Sequence, residues 1–582
     1  MAGKMICDNL SEFISLLESQ GELVRIKEPV SCELEISKFA DEESKKPNGG
    51  KALLFEKVKE SKFPVVVNLF GSEKRMSMAL GVKNFAEMTE KIARYTKTTP
   101  PQSFKQFFET AKKFLPLLKI APKKISGKAP CQEVVKTGEQ IDLNEIPVLK
   151  CWPKDGGRFI TLPLVFTKNP DTNERNLGMY RLQVFDGKTT GMHWHIHKDA
   201  SHFYNLYREK NMRMPVAVAI GADPATIYAA TAPLPRGIDE LLLAGFFRGK
   251  GVKTVKCVSV DLEVPAQAEF VLEGYVEPFE TRLEGPFGDH TGYYSLADQY
   301  PVFHLTAITH RKKPIYCATL VGPPPMEDCY MAKATERIFL PMLQAVFPEI
   351  CDMFLPWEGV FHNIAVVSIK KEYPAHAQRL ISALWGQWQM SFCKSIAVVD
   401  ENTDITNYNA LWEKFLNSFD PNCDILRGFG VLDALDHSAQ SPLMGNKIGF
   451  DLTAKVKGEP PRKTKPLLDK LNDALVVQKF DFVKAAKSAK SFCALSVEKQ
   501  EIKGRDLLNE LMQSKMFDNI KCVAMFDTSV DIENPKKLLW KIFNNTDPVR
   551  DILIENGTLY IDACKKNRAD GFLREWPDDL KF

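Results

Sequence analysis

Residues 284–295 read Glu-Gly-Pro-Phe-Gly-Asp-His-Thr-Gly-Tyr-Tyr-Ser, and this stretch decides how the rest of the chain is interpreted. Glu284 and Asp289 stand five positions apart across a turn with two glycines and a proline. Glycine permits and proline fixes unusual backbone angles, so such a loop can hold two acids in one pocket. Repulsion and burial then separate their pKa values, which gives one charged group and one proton carrier. A solvated turn with two surface acids is the alternative.

The segments around this loop indicate a mixed α/β (α+β) chain of several domains, because 582 residues exceed a single hydrophobic core. Seven short strand-like stretches fall between residues 133 and 315, which predicts a barrel or sandwich. We predict an N-terminal α/β domain, a central β domain, a linker helix, a C-terminal α/β domain and a second copy of that last unit. Their expected ranges are residues 1–125, 130–322, 323–345, 346–458 and 480–582.

The predicted duplication depends on two similar stretches, which begin near Lys394 and Lys521. Both contain an apolar strand, an acidic turn and a helix with Trp and Phe three positions apart, which places the two rings on one face. Chance convergence of two ordinary α/β units is the alternative. The matched pairs are Asp400 with Asp527, Asp404 with Asp531, Trp412 with Trp540, Phe415 with Phe543, and Asp420 with Asp547.

Composition excludes several classes of protein. The formal net charge is only +3, so no broad nucleic-acid-binding field is expected. The sequence contains no run of about 18 apolar residues, so no transmembrane helix is expected. Peripheral contact with a membrane is an alternative that the sequence leaves open. The thirteen cysteines are dispersed without a Cys-x-x-Cys spacing. Such a set favours reduced thiols and a cytoplasmic location.

Three histidines, His193, His195 and His197, alternate along a predicted strand. A period of two places all three on one face of that strand. Neutral imidazole is the commonest metal ligand, so a tri-His zinc site is one hypothesis. An exposed polar strand face is the other.

Further stretches, taken with residues 284–295, resemble the UbiD family of prenylated-FMN-dependent decarboxylases. They are Asn-Leu-Gly-Met-Tyr-Arg at 176–181, Thr-Gly-Met-His-Trp-His-Ile-His-Lys-Asp at 190–199, and the segments 219–227, 255–266 and 271–277. The resemblance covers roughly residues 10–455 and is closest to the bacterial branch that decarboxylates 4-hydroxy-3-polyprenylbenzoate. It implies that the central β domain is a split β-barrel that binds prenylated FMN.

The resemblance also implies roles for individual residues. Asn176, His197 and Glu240 fall on the metal-ligand positions, and an amide, an imidazole and a carboxylate suit Mn²⁺ or Mg²⁺. A monovalent cation is a further candidate. Arg181, Glu284 and Asp289 fall on the catalytic positions, with Arg181 pairing with Glu284 and the less well compensated Asp289 donating the proton. Leu443 would contact substrate from the loop 438–450, for which an ordinary surface loop is the alternative. The cofactor-contacting positions are Met179, Tyr180, Arg181, His193, Trp194, His195, Lys198 and Asp199.

The expected function is therefore non-oxidative decarboxylation of a 4-hydroxy-3-polyprenylbenzoate-like aromatic acid in quinone biosynthesis. A naphthoate intermediate of menaquinone biosynthesis is the nearest alternative substrate. A tri-His metalloenzyme without flavin and a non-catalytic subunit of a larger carboxylase are alternatives of other classes. The resemblance also implies a homo-oligomer and a separate flavin prenyltransferase that supplies the cofactor.

Overall fold

The computed structural model describes residues 6–96, 103–463 and 466–582. The chain divides into two compact units. The first unit comprises Met1–Pro341 together with Asp578–Phe582, and the second comprises Met342–Pro577.

The first unit begins with helices that surround a small sheet. Asn9 caps α1 by accepting a hydrogen bond from the Glu12 N–H, and the buried apolar residues of this helix recur at helical spacing. The strands β1, β2 and β3 join β18 in a four-stranded sheet. The elements are α1 (Leu10–Ser19), β1 (Leu23–Ile26), α2 (Glu35–Ser44), β2 (Ala52–Phe55), β3 (Val65–Val67), α3 (Glu73–Ala79), α4 (Phe85–Thr96) and α5 (Phe104–Phe114).

Strands predominate in the next part of the first unit, as the sequence predicts. The strands and helices of this part are β4 (Lys123–Lys124), β5 (Val134–Thr137), β6 (Phe159–Ile160), β7 (Leu164–Lys168), β8 (Arg175–Gly178), β9 (Leu182–Gln183), β10 (Thr189–Gly191), α6 (Asp199–Glu209), β11 (Met214–Ile220), α7 (Pro224–Ala229), α8 (Glu240–Arg248), β12 (Lys253–Lys256), β13 (Glu263–Pro265), β14 (Phe270–Glu284), β15 (Phe287–Gly288), β16 (Tyr294–Ser295), β17 (Asp298–His310) and β18 (Tyr316–Cys317).

The main sheet of this unit has seven strands in the order β10-β17-β14-β11-β7-β8, with β5 paired to the far end of β17. Neighbouring strands in this order are antiparallel. No ladder joins β8 to β10 across the described residues, so the sheet stays open. Register shifts in the β14–β17 pair bend its two longest strands.

The second unit contains the duplicated α/β unit. Its elements follow α9 (Glu327–Val346), which spans the boundary between the units: β19 (Ile350–Phe354), β20 (Ile364–Ile369), α10 (His376–Leu384), β21 (Ser395–Asp400), α11 (Tyr408–Ser418), β22 (Ile425–Val431), β23 (Met444–Asp451), α12 (Asp473–Lys479), β24 (Val483–Ala489), β25 (Phe492–Val497), α13 (Gly504–Gln513), β26 (Cys522–Asp527), α14 (Pro535–Asn545), β27 (Ile552–Glu555) and β28 (Thr558–Asp562).

The two sheets of the second unit have the same topology, which confirms the predicted duplication. One has the order β19-β20-β21-β23-β22 and the other the order β24-β25-β26-β28-β27. One hydrophobic cluster draws on both copies and includes Val399, Phe419, Phe526 and Leu559. Because each copy buries apolar side chains of the other, the two copies form one core.

A buried ion cluster also occurs in both copies. In the first copy, Lys371 Nζ lies 3.5 Å from an Asp451 oxygen and 2.7 Å from a Glu459 oxygen. In the second, Lys499 Nζ lies 3.0 Å from Asp562 and 2.7 Å from Asp570. Each lysine stands two residues beyond the second strand of its sheet, and Asp451 and Asp562 end corresponding strands. The duplication therefore extends to buried charged side chains.

Two simpler expectations are also settled by the structure. No described helix combines the length and the apolar character that crossing a membrane requires. All thirteen cysteines lie within the described residues, and none forms a disulfide.

Candidate active site

Three elements of the first unit bring the predicted catalytic residues together. Glu284 is the last residue of β14, and Asp289 directly follows β15. Arg181 directly precedes β9. The loop 284–295 is held from outside by backbone hydrogen bonds, because the Gly285 N–H donates to Gln183 Oε1 at 2.7 Å and the Gly288 N–H to Asp155 Oδ1 at 2.7 Å.

Arg181 binds both acids of this loop at once. Its Nε donates to Glu284 Oε1 at 3.0 Å, and its Nη1 donates to Asp289 Oδ2 at 2.5 Å. Its Nη2 donates to Ser295 Oγ at 3.0 Å, and the guanidinium lies 4.5 Å from the centre of the Phe287 ring. The side chains of Arg181, Glu284 and Asp289 are 9%, 0% and 11% exposed, so water screens this charge network little.

His193 completes the coordination of Glu284. Its Nδ1 lies 2.5 Å from Glu284 Oε2, and its Nε2 lies 2.9 Å from His195 Nε2. The imidazole stacks on Tyr300 at 4.1 Å between ring centres. Burial, with the nearby Arg181 charge, lowers the pKa of His193 despite the Glu284 carboxylate. A neutral ring fits these contacts, with Nδ1–H donating to Glu284 and Nε2 accepting from His195.

The pKa values of Glu284 and Asp289 agree with the expectation for Glu284 and differ from it for Asp289. Burial alone would raise the pKa of Glu284, but the Arg181 charge and the His193 hydrogen bond outweigh it and the pKa is lowered. Burial likewise opposes ionisation of Asp289, yet His290 and Arg181 hold its pKa well below the usual range. The expectation that Asp289 is less well compensated than Glu284 is therefore wrong, because the Asp289 carboxyl binds the same guanidinium and also accepts a hydrogen bond from the His290 N–H at 2.8 Å.

Glycines in the loop serve different purposes. Gly285 and Gly292 have φ values of +97° and +84°, which side-chain-bearing residues rarely adopt. At Gly288, a Cβ would lie 2.1 Å from Trp152 Cδ1. Absence of a side chain at Gly288 therefore lets the loop lie directly on Trp152, which is fully buried.

The segment Asp578–Phe582 lies against the outer side of this loop. The Tyr294 N–H donates to the Asp578 carbonyl at 3.0 Å, and the Leu580 N–H donates to the Gly292 carbonyl at 2.9 Å. Phe582 stacks on Trp152 with 4.4 Å between ring centres. These residues act as a short extra strand behind the loop.

The predicted strand through His193, His195 and His197 is not present. β10 ends at Gly191, and the chain then runs irregularly to α6. The Trp194 ring turns into the core, with 5.2 Å between its centre and that of the Tyr204 ring. His193 is buried, whereas His197 is exposed. Among the described residues no group of three or more His, Cys, Asp and Glu side chains could hold a metal ion, which contradicts the tri-His site.

The residues assigned to the metal lie as follows. Asn176 is buried in β8, and Glu240 begins α8. The Leu177 N–H donates to Glu240 Oε2 at 2.9 Å, which brings these two positions together. Burial, with the charges of Asp239 and Asp199, raises the pKa of Glu240 to about 8. A half-buried carboxylate beside an amide is chemistry that suits a hard divalent cation, whereas the His197 side chain is exposed.

The positions assigned to cofactor contacts surround Asn176 and Arg181. Tyr180 is buried, and this burial raises the pKa of its hydroxyl. Lys198 caps α6, and Asp199 in its first turn pairs with Arg236 at 2.7 Å. The Trp194 Nε1–H is buried with no hydrogen-bond partner among the described residues, so it is one donor still available to a ligand. Met179 is half-buried, and its N–H donates to Ala230.

Leu443 belongs to the second unit. It lies in the turn between β22 and β23 with a φ of +67°, and its carbonyl accepts from the Leu432 N–H at 2.9 Å.

Sequence reasoning missed several partners of the catalytic acids. The contact of His193 with Glu284 joins positions 91 apart, and Tyr300 and Ser295 were not singled out. Tyr300 lies two residues into β17, which pairs with β14 near Glu284. That pairing is the signal that could have found it.

A buried arginine shared by two acids whose pKa values are shifted is an arrangement that occurs at functional sites and also in structural ion-pair networks. Three family models, described as the N-terminal, Rift-related and C-terminal domains of 3-octaprenyl-4-hydroxybenzoate carboxy-lyase, match residues 14–95, 123–324, and 329–452 with 464–568. The chain belongs to the UbiD family of carboxy-lyases.

Relatives and solved structures support this membership. An uncharacterized protein of Archaeoglobus fulgidus is 50% identical over 78% of this chain and 93% of its own. One of Helicobacter pylori is 38% identical over 98% of this chain and 94% of its own. Closed vanillic acid decarboxylase of Sedimentibacter hydroxybenzoicus has a TM-score of 0.69 at 28% identity, covering 81% of this chain and 98% of that one. The UbiD-class enzyme HmfF of Pelotomaculum thermopropionicum, in complex with FMN, has a TM-score of 0.66 at 28% identity. The match covers 80% of this chain and 99% of that one.

Proposed function

We propose that this protein removes CO₂ from a hydroxylated aromatic acid of the 4-hydroxy-3-polyprenylbenzoate type, in quinone biosynthesis, as a homo-oligomer. The observation that carries the proposal is the single buried guanidinium of Arg181 held between Glu284 and Asp289. Vanillic acid, named for one structural neighbour, is a hydroxylated benzoic acid, which supports the substrate class.

Arg181 is the group that binds the acid. A guanidinium recognises a carboxylate through two parallel hydrogen bonds and stays charged at every physiological pH. Glu284 and His193 hold the Nε side of the guanidinium, so its Nη side is the part that can turn to substrate. A carboxylate bound there competes with Asp289 for Arg181.

That competition raises the pKa of Asp289, so that Asp289 can become protonated. When the substrate shares the cation, Asp289 loses part of its compensation and gains a negative neighbour, and both effects raise its pKa. Asp289 can then take up a proton and deliver it to the ring carbon that CO₂ leaves. The resting site keeps Asp289 ionised, and substrate binding prepares it as the acid.

We also propose that the site binds a metal-bound flavin. Asn176 and Glu240 would hold Mn²⁺ or Mg²⁺, with His197 as the third ligand, and Tyr180 and Trp194 would contact the flavin, for which the Trp194 Nε1–H, unpartnered among the described residues, is an available donor. An evolved dimeric form of HmfF has been solved with prFMN. Prenylated FMN supplies an electron sink for the electrons of the broken carbon–carbon bond.

The test is a CO₂-release assay on the full chain, co-expressed with a flavin prenyltransferase. Hydroxybenzoates and hydroxynaphthoates are offered as substrates, with Arg181→Lys beside a control, Arg213→Lys, whose arginine is largely exposed. We expect turnover of at least one hydroxylated acid, and its loss in Arg181→Lys only. Absence of CO₂ release from every acid by the flavin-loaded protein would refute the proposal.

A further inference from the structure

The helix α5 presents an apolar face that the described part of the chain does not bury. None of residues 105–128 is buried, whereas α1, a helix of similar length, buries four apolar side chains. An isolated helix of 11 residues is marginally stable in water, so a helix such as α5 depends on a cover for its apolar face. Four large apolar side chains of α5 and of the 3₁₀ turn that follows it are more than half exposed: Phe107, Phe108, Leu115 and Leu118.

The apolar and the basic side chains of this helix lie on different faces. The apolar ones recur at helical spacing and form one stripe: Phe107, Phe108, Ala111, Phe114 and Leu115. The lysines of the helix fall outside this stripe: Lys105, Lys112 and Lys113. Residues 103–124 contain six lysines and one glutamate, which gives them a net charge of +5 in a chain whose net charge is +3. Positive charge is therefore concentrated around an exposed apolar stripe.

The C-terminal end of this segment is fixed to the first unit. The Gly251 N–H donates to the Lys119 carbonyl at 2.7 Å, and the Lys123 N–H donates to the Val252 carbonyl at 2.8 Å. The Phe114 ring contacts the Tyr95 ring at 5.5 Å between ring centres. The first unit thus holds α5 from one end, while the middle of the apolar stripe stays exposed.

We propose that α5 binds the surface of a lipid bilayer that contains anionic lipid. A helix with an aromatic and aliphatic face and lysines on its other face is the kind that lies in the plane of a membrane interface. Phe107 and Phe108 would enter the boundary between headgroups and acyl chains. The lysines would bind the phosphates, since basic side chains near an anionic surface add to the affinity. No residue of the candidate active site takes part, so lipid binding is independent of the proposed decarboxylation.

A second copy of this chain is the other occupant that such a face could have. In a symmetric dimer the same patch of both copies meets, so contact through α5 would bring the same lysines of the two chains together. Like charges at short range repel each other. An anionic bilayer instead combines an apolar interior with a surface of opposite charge, which matches both faces of α5.

Flotation of the full chain with lipid vesicles tests the contribution of the apolar stripe. The vesicles contain either phosphatidylcholine alone or equal amounts of phosphatidylcholine and phosphatidylglycerol. The variant combines Phe107→Gln with Phe108→Gln. Its control is Phe429→Gln, because the Phe429 side chain is 65% exposed and lies in the second unit.

A second variant tests the contribution of charge by combining Lys112→Glu with Lys113→Glu. Its control combines Lys536→Glu with Lys537→Glu. These two lysines are adjacent on α14, and in both pairs the first lysine is exposed and the second is half-buried. The two double variants therefore change the net charge of the chain equally and differ only in where they do so.

We expect the unmodified chain to bind the anionic vesicles and to leave them at high salt, which screens exposed charges. Each α5 variant should bind them about tenfold more weakly, or weaker still, because it loses buried aromatic area or attraction to the lipid. Both controls should bind as the unmodified chain does. Melting temperatures without lipid should change little, which separates lost binding from lost folding.

Absence of binding to the anionic vesicles, equal binding to both kinds of vesicle, or unchanged binding in both α5 variants would overturn the inference. A smaller assembly in lipid-free solution for the variant with Phe107→Gln and Phe108→Gln would also overturn it. Light scattering measures the assembly size, and such a decrease would show that a second copy covers this face.

Discussion

At the scale of single residues, the charge of Arg181 lowers the pKa of both acids of the site, Glu284 and Asp289. One guanidinium pairs with both Glu284 and Asp289, and a neutral His193 occupies the remaining side of Glu284. Removing one partner of such a buried network leaves the others uncompensated, which costs more than the network contributes. The three side chains should therefore respond to mutation as a unit.

Replacing Asp289 with Asn should abolish most turnover while the cofactor remains bound, since the amide cannot deliver a proton. Loss of a general acid usually lowers the rate about 10²–10⁴-fold. Single-turnover CO₂ release and the flavin absorption spectrum measure the two properties. Asp298→Asn, which changes an exposed acid at the start of β17, is the control. A rate near that of the unmodified protein would remove Asp289 from the role of acid.

Replacing Glu284 with Gln should change the acid stability of the protein. The folded pKa of Glu284 is lowered below its ordinary value of 4.5, so its ionisation stabilises the fold above about pH 4.5 and this contribution is lost as pH falls. At neutral pH the variant should be less stable by about 1–3 kcal/mol, because Arg181 Nε loses a charged acceptor.

Urea unfolding measured between pH 7 and pH 3 tests this expectation. The two stability curves should converge toward low pH, while Glu280→Gln, an exposed change on the same strand, should follow the unmodified protein. Parallel curves over the whole range would show that Glu284 is not held ionised.

Replacing Glu240 with Ala should strip metal and flavin together, because in the metal site that we propose this carboxylate supplies the negative charge. Metal analysis and flavin absorbance of the purified protein give both occupancies. Glu209→Ala, an exposed change at the end of α6, should retain both. Full occupancy in Glu240→Ala would disprove the ligand assignment.

At the scale of elements, the loop 284–295 depends on a close contact as much as on its acids. In Gly288→Ala the added methyl group would overlap Trp152 or Leu580, since both lie within 3.0 Å of the ideal Cβ position. The loop must then shift and carry Asp289 away from Arg181. We expect a large loss of kcat and a lower melting temperature, whereas Gly430→Ala, where the atom nearest to the added Cβ is Lys447 Cε at 3.5 Å, should lose neither activity nor more than a little stability. Unchanged kcat in Gly288→Ala would show that the contact is dispensable.

Periodicity predicted the elements well where one face is buried and poorly where tertiary contacts decide. The helix α1 and the duplicated sheets follow from apolar spacing and from paired landmarks such as Asp400 and Asp527. The strand predicted through His193 fails because Trp194 packs into the core and His193 turns to Glu284, far away in sequence.

At the scale of the whole molecule, the two copies of the α/β unit should not be separable. A chain that ends at Gly458 keeps Arg181, Glu284 and Asp289 but exposes the face of the shared core that Phe526 and Leu559 cover. Large exposed apolar patches promote association. We expect aggregation or an altered assembly size by light scattering, with partial rescue when residues 466–582 are co-expressed. A soluble truncated chain of unchanged assembly size and melting temperature would show the second copy to be dispensable.

The segment Asp578–Phe582 contacts the loop 284–295 but is translated after it. The loop 284–295 leaves the ribosome long before this segment, and the entire second unit is translated in between. At bacterial rates of synthesis the interval is roughly 15–60 s. During that time the Gly292 carbonyl and the Trp152 ring lack their later neighbours, Leu580 and Phe582. A nascent chain thus acquires a fully supported catalytic loop only after both copies of the α/β unit and the segment Asp578–Phe582 have been translated.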